Sequence, residues 1–284
     1  MRIGLIPNPD KDQGYKKTLQ VAKEIVSLGG SAILDEKYRN KITMKSANIE
    51  FNSYLTCELL ICLGGDGTFL TAVHDYLLQD TPIIGINLGS VGFLAEIKPK
   101  DTLKALTQII KGDYLIEKRM LLQTTCYNSQ GIEKIKTLSL NDIVVTRGGI
   151  SRILNLDLFI DHVLVEKLPG DGVIVATPTG ATAYSLSAGG PIVQPSLSVI
   201  IITPLNPHTL HNRSYVVSPD SEIEIVIREY PFNPLLTSDG AHVCTLEQLD
   251  RVVVTKSPTS MNLVKLDSAN FYESLTTKIY ARGK

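Results

Sequence analysis

The segment LLICLGGDGTFLTAVHD, Leu59 to Asp75, limits most strongly how this chain can fold. Leu59 to Leu63 read as a buried strand, Gly64-Gly65-Asp66-Gly67 as a break, and about Thr68 to Leu78 as a helix. A strand that ends in glycines and feeds a helix leaves several backbone N–H groups unpaired in one small space, with the positive end of the helix dipole behind them. Such a turn attracts phosphate. Glycine permits positive φ and lets a bulky anion approach the main chain without meeting a Cβ. Asp66 is the odd member, because a bare carboxylate repels phosphate oxygens. The conflict disappears if Asp66 faces a hydroxyl nucleophile or a Mg²⁺ ion, since phosphoryl transfer needs a group to orient the attacking oxygen and cations to offset charge. A plain tight turn uses the same residues, so the loop alone leaves the two readings level. No G-x-x-x-x-G-K-[ST] run occurs, and Leu70 stands where G-x-G-x-x-G would need its third glycine. Neither a Walker ATPase nor a dehydrogenase fingerprint is supported.

The flanks extend this unit into a parallel sheet. Ile3 to Ile6 predicts a strand stopped by Pro7-Asn8-Pro9-Asp10, followed by a helix with Leu19, Ala22 and Val26 on one face, ending at Gly29-Gly30. Ile83 to Ile86 supplies the next strand. Asp101 reads as the N-cap of a helix carrying Leu103, Leu106 and Ile110, which Gly112 ends. The pattern then changes. ILNLDLFIDHVLVEKL and SEIEIVIRE alternate with a period of two, the mark of half-buried strands. The expected division is an α/β domain over 1–120, a strand-rich domain over 121–250, and a C-terminal segment over 251–284.

A net charge of −1 over 284 residues gives no reason to expect nucleic acid or an acidic membrane as partner. No stretch is long and apolar enough to span a bilayer or serve as a signal core, so a cytoplasmic protein is expected. Cys57, Cys62, Cys126 and Cys244 form no CxxC pair, and buried free thiols are the expectation. His208 and His211 lie three apart without a carboxylate in register, which favours packing or surface roles over a metal site.

A second polar cluster lies in the strand-rich half, in SLNDIVVTRG (Ser139 to Gly148) and PGDGVIVATPTGATAYSLSAGGPI (Pro169 to Ile192). Burying Asn141, Asp142 and Asp171 without partners would cost roughly 1–3 kcal/mol each. Thr182 to Ala188 can form a short helix with free N–H groups at its start. In this order GGDGT, LND and DG…TPTGATAYSLSAGGP resemble the NAD kinase family, over about residues 57 to 240. GGDGT is also found in diacylglycerol-type lipid kinases and is similar to the phosphofructokinase loop. The long second block is the specific part.

The resemblance implies an N-terminal Rossmann-like α/β domain, a C-terminal β-sandwich, and return of the last residues to the first domain. It implies transfer of phosphate from ATP to the adenosine 2′-hydroxyl of NAD, with a divalent metal, Mg²⁺, carried by ATP. Asp66 would be catalytic, and Gly64, Gly65, Gly67 and Thr68 would meet the ATP phosphates. NAD would lie against Asp66, Gly67, Phe93, Asn141, Asp142, Arg152 and Asp171, and against the helix start Thr182, Ala183, Tyr184, Ser185, Leu186 and Ser187. Asn206 and Asp239 carry over on spacing and on SDG alone. A homodimer or homotetramer is also implied. The chain departs from the family at Asp142 (usually Glu), Ala181 (Ser or Thr), Pro169 (Arg or Lys) and Thr71 (sometimes basic). A lipid kinase would not need Asn141-Asp142 or the Tyr184 block, a nicotinamide-dependent oxidoreductase would need the missing glycine fingerprint, and a non-catalytic dinucleotide sensor would not need Asp66.

Overall fold

The computed structural model describes residues 1–42, 49–76, 80–89, 92–149, 152–209, 212–266, 271–273, 275 and 276. The chain divides into two compact units, Met1–Lys118 with Met261–Lys284, and Arg119–Ser260. In the first, β1 (Arg2–Pro7), β2 (Ser31–Leu34), β3 (Ile49–Phe51), β4 (Leu59–Gly64) and β5 (Ile83–Asn87) form a parallel sheet in the order β3-β2-β1-β4-β5. Helix α1 (Lys16–Ser27) joins β1 to β2, α2 (Asp66–Tyr76) lies between β4 and β5, and α3 (Thr102–Lys111) follows. Ile61 of β4 pairs with Leu5 of β1 on one side and Ile84 of β5 on the other. Both faces of this central strand are covered, which is why it reads as an unbroken apolar run.

On one face Leu5, Ile61 and Ile84 share a core with Val21, Ala22 and Ile25 of α1 and Ala105, Leu106 and Ile109 of α3. On the other, Gly85 leaves the room that Ala95 and Phe69 of α2 occupy. Three sequence expectations shift by a residue or two. The buried stripe of α1 is Thr18, Val21, Ala22 and Ile25, whereas Leu19 and Val26 are only half-buried. In α3 Leu103 is 53% exposed, and Ala105 and Ile109 take the core positions instead. Asp101 holds the N-cap position of α3 without a side-chain bond; the Thr102 hydroxyl donates to the Pro99 carbonyl at 2.8 Å. Gly112, at φ 74°, ends α3 as expected. Helix α2 begins at Asp66, two residues early, and its expected end at Leu78 lies outside the described residues.

The connection from β1 runs to one side of the sheet and that from β4 to the other. The carboxyl ends of β1 and β4 therefore flank the point where strand order reverses, the usual crevice for ligands in open α/β sheets.

The second unit holds β6 (Leu115–Tyr127, from Arg119 on), β7 (Glu133–Ser139), β8 (Asp142–Thr146), β9 (Leu154–Ile160), β10 (Val163–Gly170), β11 (Gly172–Ala176), helix α4 (Tyr184–Ser187), β12 (Ile200–Leu205), β13 (Tyr215–Val217), β14 (Ile223–Ile227), β15 (Leu235–Ser238), β16 (Ala241–Thr245) and most of β17 (Arg251–Lys265). Near the end of β17, Leu263 belongs to the first unit and pairs in parallel with Ile83. One antiparallel sheet runs β13-β12-β11-β8-β15-β16; facing it, β10, β9, β14 and β17 pair antiparallel in that order. The fold is thus an α/β unit with a β-sandwich. Ile143 and Val145 of β8 point into the sandwich core with Leu154, Leu156, Leu158, Ile223 and Ile225, while Val144 joins Ile174, Ala181, Val193 and Ile201 on the outer face. Two-residue turns with positive φ, Asp161-His162 and Asp239-Gly240, close the β9–β10 and β15–β16 hairpins. Cys57, Cys62 and Cys126 are buried free thiols and Cys244 is half-buried; burial pushes the Cys62 thiol up to about 12.

Candidate functional site

In the first unit the glycine turn stands at the carboxyl end of β4. None of Gly64, Gly65 and Gly67 adopts positive φ, and at Gly64 the reason for glycine is room. A Cβ on Gly64 would fall 2.3 Å from the Thr68 hydroxyl, whereas one on Gly67 would point into open space. Thr68 is held from outside the turn. The Asn8 side-chain amide, from the loop after β1, donates to Thr68 Oγ1 at 2.7 Å, and Asn8 N donates to the Leu63 carbonyl at 3.0 Å. Asn8 carries no signal beyond a strand stop when read alone, because its partner is sixty residues away.

Asp66 lies in the first turn of α2, and its carboxylate is heavily bonded. Oδ2 accepts from Phe93 N at 2.7 Å, and Oδ1 accepts from Leu94 N at 3.0 Å and Ala95 N at 3.1 Å. A Cβ on Gly92 would fall 2.2 Å from Oδ1, so this chain segment wraps the carboxylate closely. Asp66 thereby anchors the stretch that carries Phe93, a half-buried ring, to the glycine turn. Ser90 and Val91 of the GSVGF run lie outside the described residues. Thr71 donates its hydroxyl to the Gly67 carbonyl at 3.1 Å.

In the second unit three segments meet where β8 begins. Asp239, at φ 48° in the hairpin turn, accepts from the amides of Leu140 (2.8 Å), Asn141 (2.7 Å) and Asp142 (3.0 Å). Thr177 N donates to the Asn141 carbonyl at 2.9 Å, and the Thr177 hydroxyl donates to the Leu140 carbonyl at 2.5 Å. A Cβ on Gly180 would fall 2.0 Å from the Asn141 carbonyl oxygen, so TPTG needs its glycine for close approach. Asn141 is half-buried, whereas Asp142 is 4% exposed, and among the described residues no donor meets its carboxylate. Burial, with the Asp239 charge beside it, pushes the Asp142 carboxyl up to about 7.

That shift has a definite sign for stability. A carboxyl raised in the folded state favours folding below its unfolded value, near 4, and this contribution is lost as pH rises through about 7. We expect Asp142→Asn to gain on the wild type by on the order of a few kcal/mol between pH 5 and pH 8. Urea unfolding at both values measures it, and equal pH dependence in the two proteins would refute it.

The remaining sequence candidates separate. Ser185 is 0% exposed and shares a hydrogen bond with Thr203 Oγ1 at 3.1 Å, so its hydroxyl serves the interior. Thr182 is also buried, Ala183 and Leu186 are half-buried, Ser187 is exposed, and Tyr184 is 48% exposed. Asp171 accepts from Asn206 Nδ2 at 2.9 Å and Arg147 Nε at 2.6 Å, and these bonds, Asn206 first, hold its carboxyl below the usual range. Arg147 is a partner that sequence reading passed over; only its place in VTRG, after the LND strand, could have drawn attention to it. Arg152 is exposed, Pro169 contributes its carbonyl to His208 N at 2.7 Å, and Ala181 is buried. His211 lies outside the described residues.

A glycine turn with a fixed carboxylate at a switch point of a parallel sheet in one unit, and a polar strand-end cluster on the sandwich of the other, are the features of a phosphotransferase class of protein. The profile of the ATP-NAD kinase N-terminal domain matches residues 3–114, and that of the ATP-NAD kinase C-terminal domain matches residues 140–266. The NAD kinase of Acetivibrio thermocellus is 39% identical over 286 residues, covering 100% of this chain and 99% of the relative. That of Caldanaerobacter subterraneus subsp. tengcongensis is 41% identical over 282 residues, covering 99% of each. Among solved structures, yeast NADH kinase complexed with NADH superposes with a TM-score of 0.89 at 26% identity, covering 99% of this chain and 87% of that one. An Archaeoglobus fulgidus NAD kinase in complex with ATP gives 0.74 at 24% identity, covering 99% of each, a likeness of fold. The chain belongs to the NAD kinase family.

Proposed function

We propose that this protein transfers the terminal phosphate of ATP to the adenosine 2′-hydroxyl of NAD, giving NADP. The observation that carries the reading is the intact Gly64–Thr68 turn with its anchored Asp66 in a chain that also keeps the Leu140–Asp142 and Thr177–Gly180 cluster. A lipid kinase has no use for that second cluster, and a sensor none for Asp66.

In this reading Gly64, Gly65, Gly67 and Thr68 border the donor phosphates, the first-turn amides of α2 at Gly67 and Thr68 donate to their oxygens, and the open space at Gly67 admits them. Asp66 Oδ1 has both lone-pair positions taken by Leu94 and Ala95, while Oδ2 accepts one bond and keeps one free position. Oδ2 is then the oxygen that accepts the 2′-hydroxyl proton and aims the nucleophile at the phosphorus. Asn141 and Asp142 bind the adenosine of NAD, Phe93 and Tyr184 pack on its rings, and Asp171 accepts from the nicotinamide half. Thr182, Ala183, Leu186 and Ser187 line the dinucleotide, and Arg152 faces its pyrophosphate. Ser185 and Asp239 act through their neighbours, and Asn206 through Asp171.

Among the described residues no three His, Cys, Asp or Glu side chains converge on a metal position. A Mg²⁺ ion fits here as a passenger of the triphosphate, the usual way it is held, where it offsets phosphate charge. Among the described residues no helix is long and apolar enough to cross a membrane. Residence in the cytoplasm and a homodimer or homotetramer complete the reading, the latter measurable by light scattering.

The deciding experiment incubates the purified protein with Mg²⁺-ATP and either NAD or NADH and detects the phosphorylated product with an NADP-specific dehydrogenase. Product formation is expected. Its absence with both acceptors would overturn the reading.

A further inference from the structure

Lys11 occupies a place that nothing above has used. It follows β1 in the Pro7–Lys11 loop, and its ammonium lies over two glycine backbones: a Cβ on Gly65 would fall 2.7 Å from Nζ, and one on Gly89 would fall 2.9 Å from it. Any larger residue at either position would compete with the ammonium for space. The loop beneath Lys11 is fixed. Asn8 Oδ1 accepts from Asp10 N (2.9 Å) and Lys11 N (3.1 Å), the Asn8 carbonyl accepts from Lys11 N and Asp12 N, and Asn8 Nδ2 reaches Thr68 Oγ1. The glycine turn is tied in on its other side, because Leu88 N donates to the Gly64 carbonyl at 2.9 Å. Among the described residues no carboxylate pairs with the Lys11 ammonium, and the side chain is exposed. Both oxygens of Asp66 accept from the amides of Phe93, Leu94 and Ala95.

These facts place an unneutralised cation beside helix amides at the crevice between the carboxyl ends of β1 and β4, where three strand-end loops meet. Such a combination attracts polyanions, and the ammonium does so as a compact charge with three donors. We propose that Lys11 is a phosphate-binding residue for the donor, contacting the oligophosphate chain of the nucleotide from above the Gly64–Gly67 turn. The inference rests on the kinase reading and names, within that site, the side chain that receives the donor's charge. The amides of the turn take the phosphate from below, and Lys11 closes over it from the first loop of the chain.

The test compares Lys11→Met and Lys11→Arg with the wild-type full chain. In Lys11→Met the KM for MgATP should rise by about ten- to a hundredfold, as expected for one charge-assisted contact. The KM for NAD should stay within about twofold and the melting temperature should not move, since the side chain packs against no apolar core. Lys11→Arg should recover most of the MgATP affinity by restoring the charge. Titration calorimetry with MgATP and with inorganic triphosphate should show the same ordering without turnover, so the result stands even if no NADP is formed by the wild type. Unchanged affinity for both phosphate probes in Lys11→Met would overturn the proposal. So would an equal loss for NAD and MgATP, or a fall in melting temperature that arginine does not repair.

Discussion

Asp66→Asn lowers the rate of NADP formation by about 10²–10⁴-fold, the range for removing a group that handles the proton of a nucleophile. The structure adds a second effect to that loss. An asparagine presents only one oxygen, and its amide nitrogen must face at least one of the three N–H groups of Phe93, Leu94 and Ala95 that now donate to the carboxylate. The variant should therefore melt several degrees below the wild type, because a buried donor left without an acceptor costs roughly 1–3 kcal/mol. An activity assay at saturating substrates and a thermal melt measure the two effects. Near-normal turnover would remove Asp66 from the chemistry, and an unchanged melt would remove it from the anchoring of the 92–95 segment.

The second large effect is expected at Asp239. Asp239→Ala strips the acceptor from the amides of Leu140, Asn141 and Asp142 at once and places alanine at φ 48°. A stability loss of about 3 kcal/mol or more follows from the unsatisfied donors alone. The KM for NAD should rise by about tenfold or more with little change for MgATP, since roughly 1.4 kcal/mol of lost positioning is already a factor of ten. Asp239→Asn keeps the turn conformation, tolerated by asparagine, and one acceptor oxygen, and should fall between the two. A further signature separates this from general damage. With the neighbouring charge gone, the Asp142 carboxyl should titrate below its value of about 7 in both variants. NMR titration of that side chain reads it directly, and an unmoved midpoint would contradict the coupling.

Much of the architecture was legible wherever one periodicity dominated. The run Leu59–Leu63, the glycine turn and the alternating ILNLDLFI and IEIVI segments each became the expected strand or turn. The stripe of α1 slipped from Leu19 and Val26 to Val21 and Ile25 because residues on neighbouring faces are also apolar, so tertiary packing chose among them. For the candidate site, the motifs pointed to segments but not to the contacts within them. Asn8 meets Thr68 across sixty residues, and Asp239 meets Leu140 across ninety-nine. No local pattern encodes such distant partners. Asp239 was visible as part of SDG, yet its role in carrying the Leu140–Asp142 backbone follows only from the hairpin that brings it there. The glycines of the β4 turn do not use the positive φ that glycine permits; Gly64 instead makes room for the Thr68 side chain, a contact four residues on that composition does not reveal.

The strand β8 is bonded to β11 on one side and β15 on the other, and its two faces lie in different apolar clusters. Amides so enclosed open to solvent only when most of the sandwich unfolds. In deuterated buffer the N–H groups of Ile143, Val144 and Val145 should thus be among the slowest to exchange, at a rate set by global opening. Asn141 and Asp142 stand at the end of that strand, on the least yielding part of the second unit. In the proposed function the pair assigned to adenosine thus rests on a rigid strand, so that within the second unit the acceptor is held by a part that does not open without global unfolding.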